Sequence, residues 1–205
     1  MSDVVAGADG LTRCAWGVST PEYQPYHDEE WGRPVGDDVL VLEKICLEGF
    51  QSGLAWITIL RKREAFRRAF AGFAPEVVAQ FGDGEVERLL GDPGIVRHRA
   101  KILAAIANAR ATLRLAEEGV SLAALVWSHE PVRGDAATSF NQLPPSTPES
   151  TALSADLRRR GFQFVGPTTA YAAMQALGVV NDHLAGCHFR EVCAAERAAF
   201  TAPRL

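Results

Sequence analysis

The sequence predicts an all-α protein. Apolar residues recur at the spacing of helix faces, no run of β-branched and aromatic residues alternates with period two, and Gly and Pro mark the ends of the periodic segments. With 205 residues the chain is long enough to bury a sizeable core.

Taken in order, Asp37 and Asp38 can cap a helix running to about Glu48, where Gly49 supplies a stop. A short helix is expected over 53–60, then further segments over 62–71, 75–81 (with Pro75 at a first helical position) and 84–90. Residues 97–118, rich in Ala, carry Ile102, Ile106 and Leu113 near helical spacing and end at Gly119, as a central rod would. Residues 128–148 hold Gly134, Pro144, Pro145 and Pro148 and read as a polar loop. Beyond it, Ser146 and Glu149 have the spacing of a capping box, opening a helix that Gly161 closes. Gly166 and Pro167 start another, which ends near Gly178, and the residues after Cys193 read as a frayed terminus.

Composition narrows the function. No apolar run approaches the roughly 18 residues that cross a bilayer, so no membrane contact is expected. Residues 1–13 show no cationic start followed by an apolar block, which makes the cytoplasm the expected compartment. Four cysteines in a reducing compartment point to core, metal or catalysis in place of disulfides. The net charge of −4 is unlike that of a dedicated DNA binder, yet Arg61 to Arg63 with Arg67 and Arg68, Arg97 with Arg99 and Lys101, and Arg158 to Arg160 are locally basic.

Several residues carry chemistry. His183 and Cys187 are four apart, which on a helix places both on one face, and Cys14 and His27 form a second pair near the other end. A Cys2His2 set closes a tetrahedral zinc site with no open position, so its role is structural, a clip between the two ends; His188 or Cys193 could replace a ligand. A catalytic deaminase zinc is excluded, because His27, Asp28 and Glu29 have no Cys-x-x-Cys to accompany them. Trp16, Tyr23, Tyr26, Trp31 and Trp56 cluster between residues 16 and 56. Flat rings with polar handles suit either a core or a pocket for an extruded base. Glu48 shares a helix face with Val41 and Ile45, and a carboxylate on an apolar stripe near a helix C-terminus needs compensation, for which a cationic ligand is one candidate. Finally, 89–97 joins a short helix, a Gly/Pro turn at Asp92 to Gly94 and the start of the long helix. This is a helix-hairpin-helix pattern whose turn amides can cradle a phosphate, with Arg97, Arg99 and Lys101 adding charge. Val96 stands where such hairpins usually have a second glycine.

Arg13-Cys14-Ala15-Trp16, Tyr26-His27-Asp28-Glu29-Glu30-Trp31-Gly32, Ile45-Cys46-Leu47-Glu48-Gly49, Gly53-Leu54-Ala55-Trp56-Ile57-Thr58, Gly94-Ile95-Val96-Arg97-His98-Arg99, Arg160-Gly161-Phe162-Gln163-Phe164-Val165-Gly166 and Val180-Asn181-Asp182-His183 together resemble the 3-methyladenine DNA glycosylase I family. The resemblance implies one helix-hairpin-helix glycosylase domain over 13–190, with 1–12 and 194–205 as flexible tails. It implies one structural zinc on Cys14, His27, His183 and Cys187. It further implies that Glu48, the expected catalytic residue, binds the adenine edge, that Trp56 stacks on the base, and that Tyr26, Trp16 and Tyr23 complete the pocket. The loop around Gln51 and Gly53 is expected to enter the gap left by the flipped nucleotide, and Gly94, Arg97 and Arg99 to contact DNA. The implied enzyme is a monomer that acts on double-stranded DNA containing alkylated adenine, hydrolyses the N9–C1′ bond of 3-methyladenine and leaves an abasic site. Most helix-hairpin-helix glycosylases place a catalytic Asp some twenty residues past the hairpin, whereas here no Asp occurs between Asp92 and Asp135. An already cationic base needs less acid catalysis. A zinc-clipped module that binds without chemistry leaves Glu48 unexplained, and a glycosylase accepting other alkylated purines is the second alternative.

Overall fold

The computed structural model describes residues 3–132 and 134–205, and among them ten α-helices surround one principal core. The helices are α1 (Tyr23–Glu29), α2 (Asp38–Gln51), α3 (Trp56–Ala69), α4 (Pro75–Val78), α5 (Asp83–Gly91), α6 (Arg99–Glu117), α7 (Leu122–Trp127), α8 (Pro148–Arg159), α9 (Pro167–Ala176) and α10 (His188–Ala199). Helix α2 lies at the centre, buried from Val41 to Phe50, between α6 on one side and α9 on the other.

Asp37 and Asp38 do separate work at its start. The Asp37 carboxylate accepts from the Leu40 amide at 3.0 Å and caps α2, while Asp38 accepts from the amides of Leu122 and Ala123 at 3.1 and 2.8 Å and caps α7. Gly49 does not stop α2, which continues to Gln51; a Cβ there would lie 3.2 Å from that of Phe164, so this glycine serves close packing. The two segments expected over 53–60 and 62–71 are one helix, α3, which runs unbroken through the charged residues Arg61 to Glu64, with Arg61 and Glu64 exposed and Arg63 paired with Glu30, while Ile59, Phe66 and Ala69 face the core. Phe50, Phe66, Phe70 and Phe73 stack there, with successive centroids 4.6 to 6.2 Å apart.

The capping box of α8 sits one residue later than expected, with Thr147 as the cap and Ser150 as its partner. Two expectations for the ends are corrected. Val4–Ala6 (β1) pairs antiparallel with Thr12–Cys14 (β2), so the chain is not wholly helical and residues 3–12 are not a loose tail; Met1 and Ser2 lie outside the described residues. Past Cys193, α10 continues to Ala199, and Phe200 packs on Trp127 with centroids 5.0 Å apart. An isolated hairpin of two short strands is marginal. Here Thr12 donates to the Gly186 carbonyl at 2.5 Å, and Asp3 accepts from Ser139 and Phe140, which tie the hairpin to distant loops. No helix among the described residues is long and apolar enough to cross a membrane.

Candidate active site and metal centre

A cavity of about 290 Å³ opens between α1, α2, the start of α3 and α9, lined by Trp16, Tyr23, Tyr26, Trp31, Glu48, Gln51, Trp56, Ala172 and Gln175. The aromatic residues singled out in the sequence therefore meet. The rings of Tyr26 and Trp56 lie 5.4 Å apart at 43°, Trp16 and Tyr23 meet edge to face at 5.6 Å, and Trp16 also touches Trp31 at 5.0 Å. Their packing fixes the wall, because each indole or phenol is held by a second ring in an orientation that aromatic pairs favour.

Glu48 projects into this cavity and is only 6 % exposed. No hydrogen-bond donor reaches it among the described residues. Burial raises its carboxyl to about 8, and the charge of Lys44 lowers it only in part. Tyr26 is pushed up as well, first by burial and then by the Glu48 charge. The Lys44 ammonium stands 5.2 Å over the Tyr26 ring and 3.4 Å from Glu30, which Arg63 holds from the other side at 2.5 Å. The cavity thus presents a carboxyl group without a hydrogen-bond partner among π faces, an arrangement suited to a flat ligand whose positive charge would favour its ionised form.

Behind Trp16 and Trp31, Cys14, His27, His183 and Cys187 converge with all four ligand atoms within 4.8 Å of one another. Corners of a tetrahedron around zinc lie about 3.3–3.8 Å apart, given the usual Zn–N and Zn–S distances. His27 Nε2 is 3.2 Å from His183 Nδ1, and Cys187 Sγ lies 3.5 and 3.6 Å from these two nitrogens. Cys14 Sγ is 4.0 Å from His183 Nδ1. The outward nitrogens are also committed: His27 Nδ1 bonds Asp28 at 2.7 Å and His183 Nε2 bonds the Trp31 carbonyl at 3.0 Å. Buried Arg13 clamps Asp28 from behind at 2.8 Å. Such partners orient metal-binding imidazoles, so the donor set fits a closed metal site.

The helical argument for His183 and Cys187 fails. Both lie in an irregular turn before α10, closed by the Cys187 amide donating to the Leu184 carbonyl at 2.9 Å and by Gly186 at φ +87°. The alternatives of the sequence are also resolved, since His188 is exposed and Cys193 contacts the Trp31 carbonyl at 3.8 Å, outside the four-residue cluster.

The hairpin is formed by α5, the turn at 92–98 and α6. Gly94 does not offer its amide to a phosphate in this conformation, because that amide donates to Asp92 Oδ1 at 2.7 Å. The glycine is required by packing instead, as a Cβ would meet Asp92 Oδ1 at 2.9 Å and the Ala65 methyl at 3.0 Å. Arg99 pairs with Glu87 at 2.5 Å, whereas Arg97 is exposed and has no polar partner among the described residues. Most of the other basic segments are internally matched: Arg61 with Glu22, Arg67 with Glu43, Arg160 with Glu118. Lys101 turns inward and donates to the carbonyls of Phe50 at 2.9 Å and Ser52 at 2.5 Å, capping the C-terminus of α2. Next to this cap, Gly53 adopts φ +80° and Leu54 stands 41 % exposed at the tip of the loop that follows Gln51. Lys101→Met is expected to lower the melting temperature and leave the salt dependence of DNA binding unchanged; a slope shallower by about 0.9 would return Lys101 to the DNA face.

The model of the methyladenine glycosylase family matches residues 16–191. The chain belongs to this family. A curated relative, DNA-3-methyladenine glycosylase 1 of Escherichia coli K12, is 49 % identical over 180 residues, covering 86 % of this chain and 96 % of the relative. A crystal structure of 3-methyladenine DNA glycosylase I superposes with a TM-score of 0.83 at 49 % identity, covering 86 % and 98 % of the two chains. A variant of 3-methyladenine DNA glycosylase I in complex with 3-methyladenine matches with a TM-score of 0.82 at 33 % identity, covering 87 % and 97 %. In this family member the structure adds Gln175 and Ala172 to the pocket wall. Sequence reasoning missed both, because a Gln and an Ala within the mostly buried α9 give no pattern of their own.

Proposed function

We propose that this enzyme excises 3-methyladenine from double-stranded DNA by hydrolysing the bond between N9 and C1′, leaving an abasic site. The observation that carries the proposal is the buried, unsatisfied Glu48 facing the clustered rings of Tyr26 and Trp56. Methylation at N3 makes the base cationic, so the base leaves as a neutral molecule and needs little acid assistance. Glu48, whose carboxyl is protonated over much of the neutral range while the pocket is empty, ionises beside the cation; its carboxylate then binds the base edge and offsets the positive charge. Trp56 stacks on the ring, with Tyr26, Trp16 and Tyr23 closing the pocket around it. The loop from Gln51 through Gly53 fills the gap in the duplex, with exposed Leu54 as its apolar tip.

Zinc is the ion proposed for Cys14, His27, His183 and Cys187, which would hold it as a closed four-ligand set and so tie the two ends of the chain together. These four residues and the Asp28–Arg13 pair behind them set the position of α1, and with it Tyr23 and Tyr26. Arg97 supplies a phosphate contact beside the hairpin turn. Arg97→Ala is expected to weaken binding to damaged and undamaged duplex alike and to make the salt slope shallower by about 0.9; a loss confined to damaged DNA would contradict the assignment.

The experiment that tests the function is chromatography of bases released from methylated DNA. Release of 3-methyladenine with little 7-methylguanine is expected. Release of several purines at comparable rates would favour the broader glycosylase, and no release at all would leave a binding module.

A further inference from the structure

Resting on the reading above, we propose that Gln175 is a specificity-determining residue whose amide carbonyl accepts from the exocyclic amino group of the adenine lesion, and that Asp182 positions it for this task. Gln175 lines the pocket and its Nε2 donates to Asp182 Oδ2 at 2.8 Å. The same carboxylate oxygen accepts from the Tyr171 hydroxyl at 2.5 Å, so Asp182 is itself fixed by the residue one turn before Gln175. An ionised carboxylate offers only acceptors, and a flipped amide would set oxygen against oxygen. The NH2 group is therefore pinned away from the pocket's open volume. The carbonyl branch is left without a protein donor among the described residues, and it belongs to a side chain that forms the wall.

An open acceptor here adds to the means by which the pocket distinguishes lesions. 3-Methyladenine and 3-methylguanine carry the same methyl group and the same positive charge in DNA, so stacking on Trp56 and attraction to Glu48 serve both. They differ at the second ring position, where only guanine carries an amino group, and at the sixth, where adenine has an amino donor and guanine a carbonyl acceptor. A hydrogen-bond acceptor held rigidly by a second group accepts the first and leaves two oxygens facing each other with the second.

The test is the ratio of kcat/KM values for 3-methyladenine and 3-methylguanine release from the same methylated duplex, with zinc content and melting temperature recorded for each protein. Gln175→Met, which keeps length and removes the amide, is expected to reduce the ratio roughly tenfold or more, mainly through slower adenine release. Asp182→Asn leaves Gln175 in place and lets its amide turn, so it is expected to reduce the ratio as well, at wild-type zinc content. An unchanged ratio in Gln175→Met would overturn the proposal. An unchanged ratio in Asp182→Asn would remove the positioning role, and that variant carries the test if Gln175→Met does not fold. Failure of the wild-type protein to release 3-methyladenine would instead count against the function itself.

Discussion

Glu48→Gln is expected to slow single-turnover excision of 3-methyladenine by roughly 10–100-fold, the usual worth of a charge-assisted hydrogen bond, while making the protein more stable at alkaline pH. The two effects share one cause. The wild-type carboxyl is buried without a hydrogen-bond donor among the described residues and is raised from its ordinary 4.5 to about 8. Below pH 4.5 it is protonated in both folded and unfolded chains, and no pH-dependent penalty arises. As pH rises from 4.5 to 8 the unfolded chain releases its proton and the folded chain retains it, so folding becomes progressively less favourable, and above pH 8 the penalty is constant. At about 1.4 kcal/mol per pH unit, the penalty is at most about 5 kcal/mol, and water entering the open cavity lowers it. The neutral amide avoids it. The melting temperature of Glu48→Gln is therefore expected to exceed that of wild type at pH 8.5 and to approach it near pH 5. Equal differences at both pH values would show that Glu48 is not held neutral in the empty pocket, and undiminished excision would remove it from recognition of the base.

The second large effect is expected at the zinc site proposed on Cys14, His27, His183 and Cys187. Cys14→Ser should take zinc from one ion per chain to almost none and lower the melting temperature by on the order of 10 °C or more, since a structural zinc contributes its binding free energy to folding. Cys14 ends the first hairpin, and the Leu184 amide donates to its sulfur at 3.4 Å, so its loss releases the β1–β2 hairpin from the turn that carries His183 and Cys187. Cys193→Ser is the matched control: equally buried, but outside the cluster, and expected to retain zinc. Full occupancy in Cys14→Ser, or loss in Cys193→Ser, would redraw the ligand set.

The sequence by itself determined the helical class and the approximate positions of α2, α5, α6, α8 and α9, and it singled out the aromatic residues and Glu48 that line the cavity, but not Ala172 or Gln175. Helical period, caps and Gly or Pro stops are local properties, and Asp37, Pro75, Gly161 and Pro167 act within a few residues of themselves. The aromatic residues and Glu48 were visible because their chemical types are costly to place without a reason. The tertiary structure alone decided where a local signal served a distant partner. Gly49 reads as a helix stop but makes room for Phe164; Lys101 reads as a DNA-facing cation but caps α2; the Gly94 amide is taken by Asp92. His183 and Cys187 converge through a turn whose geometry depends on Gly186 and on neighbours from the far end of the chain. The orientation of Gln175 follows the same logic: an amide has two faces, and only the carboxylate of Asp182, brought alongside α9 by the fold, selects which one the pocket receives.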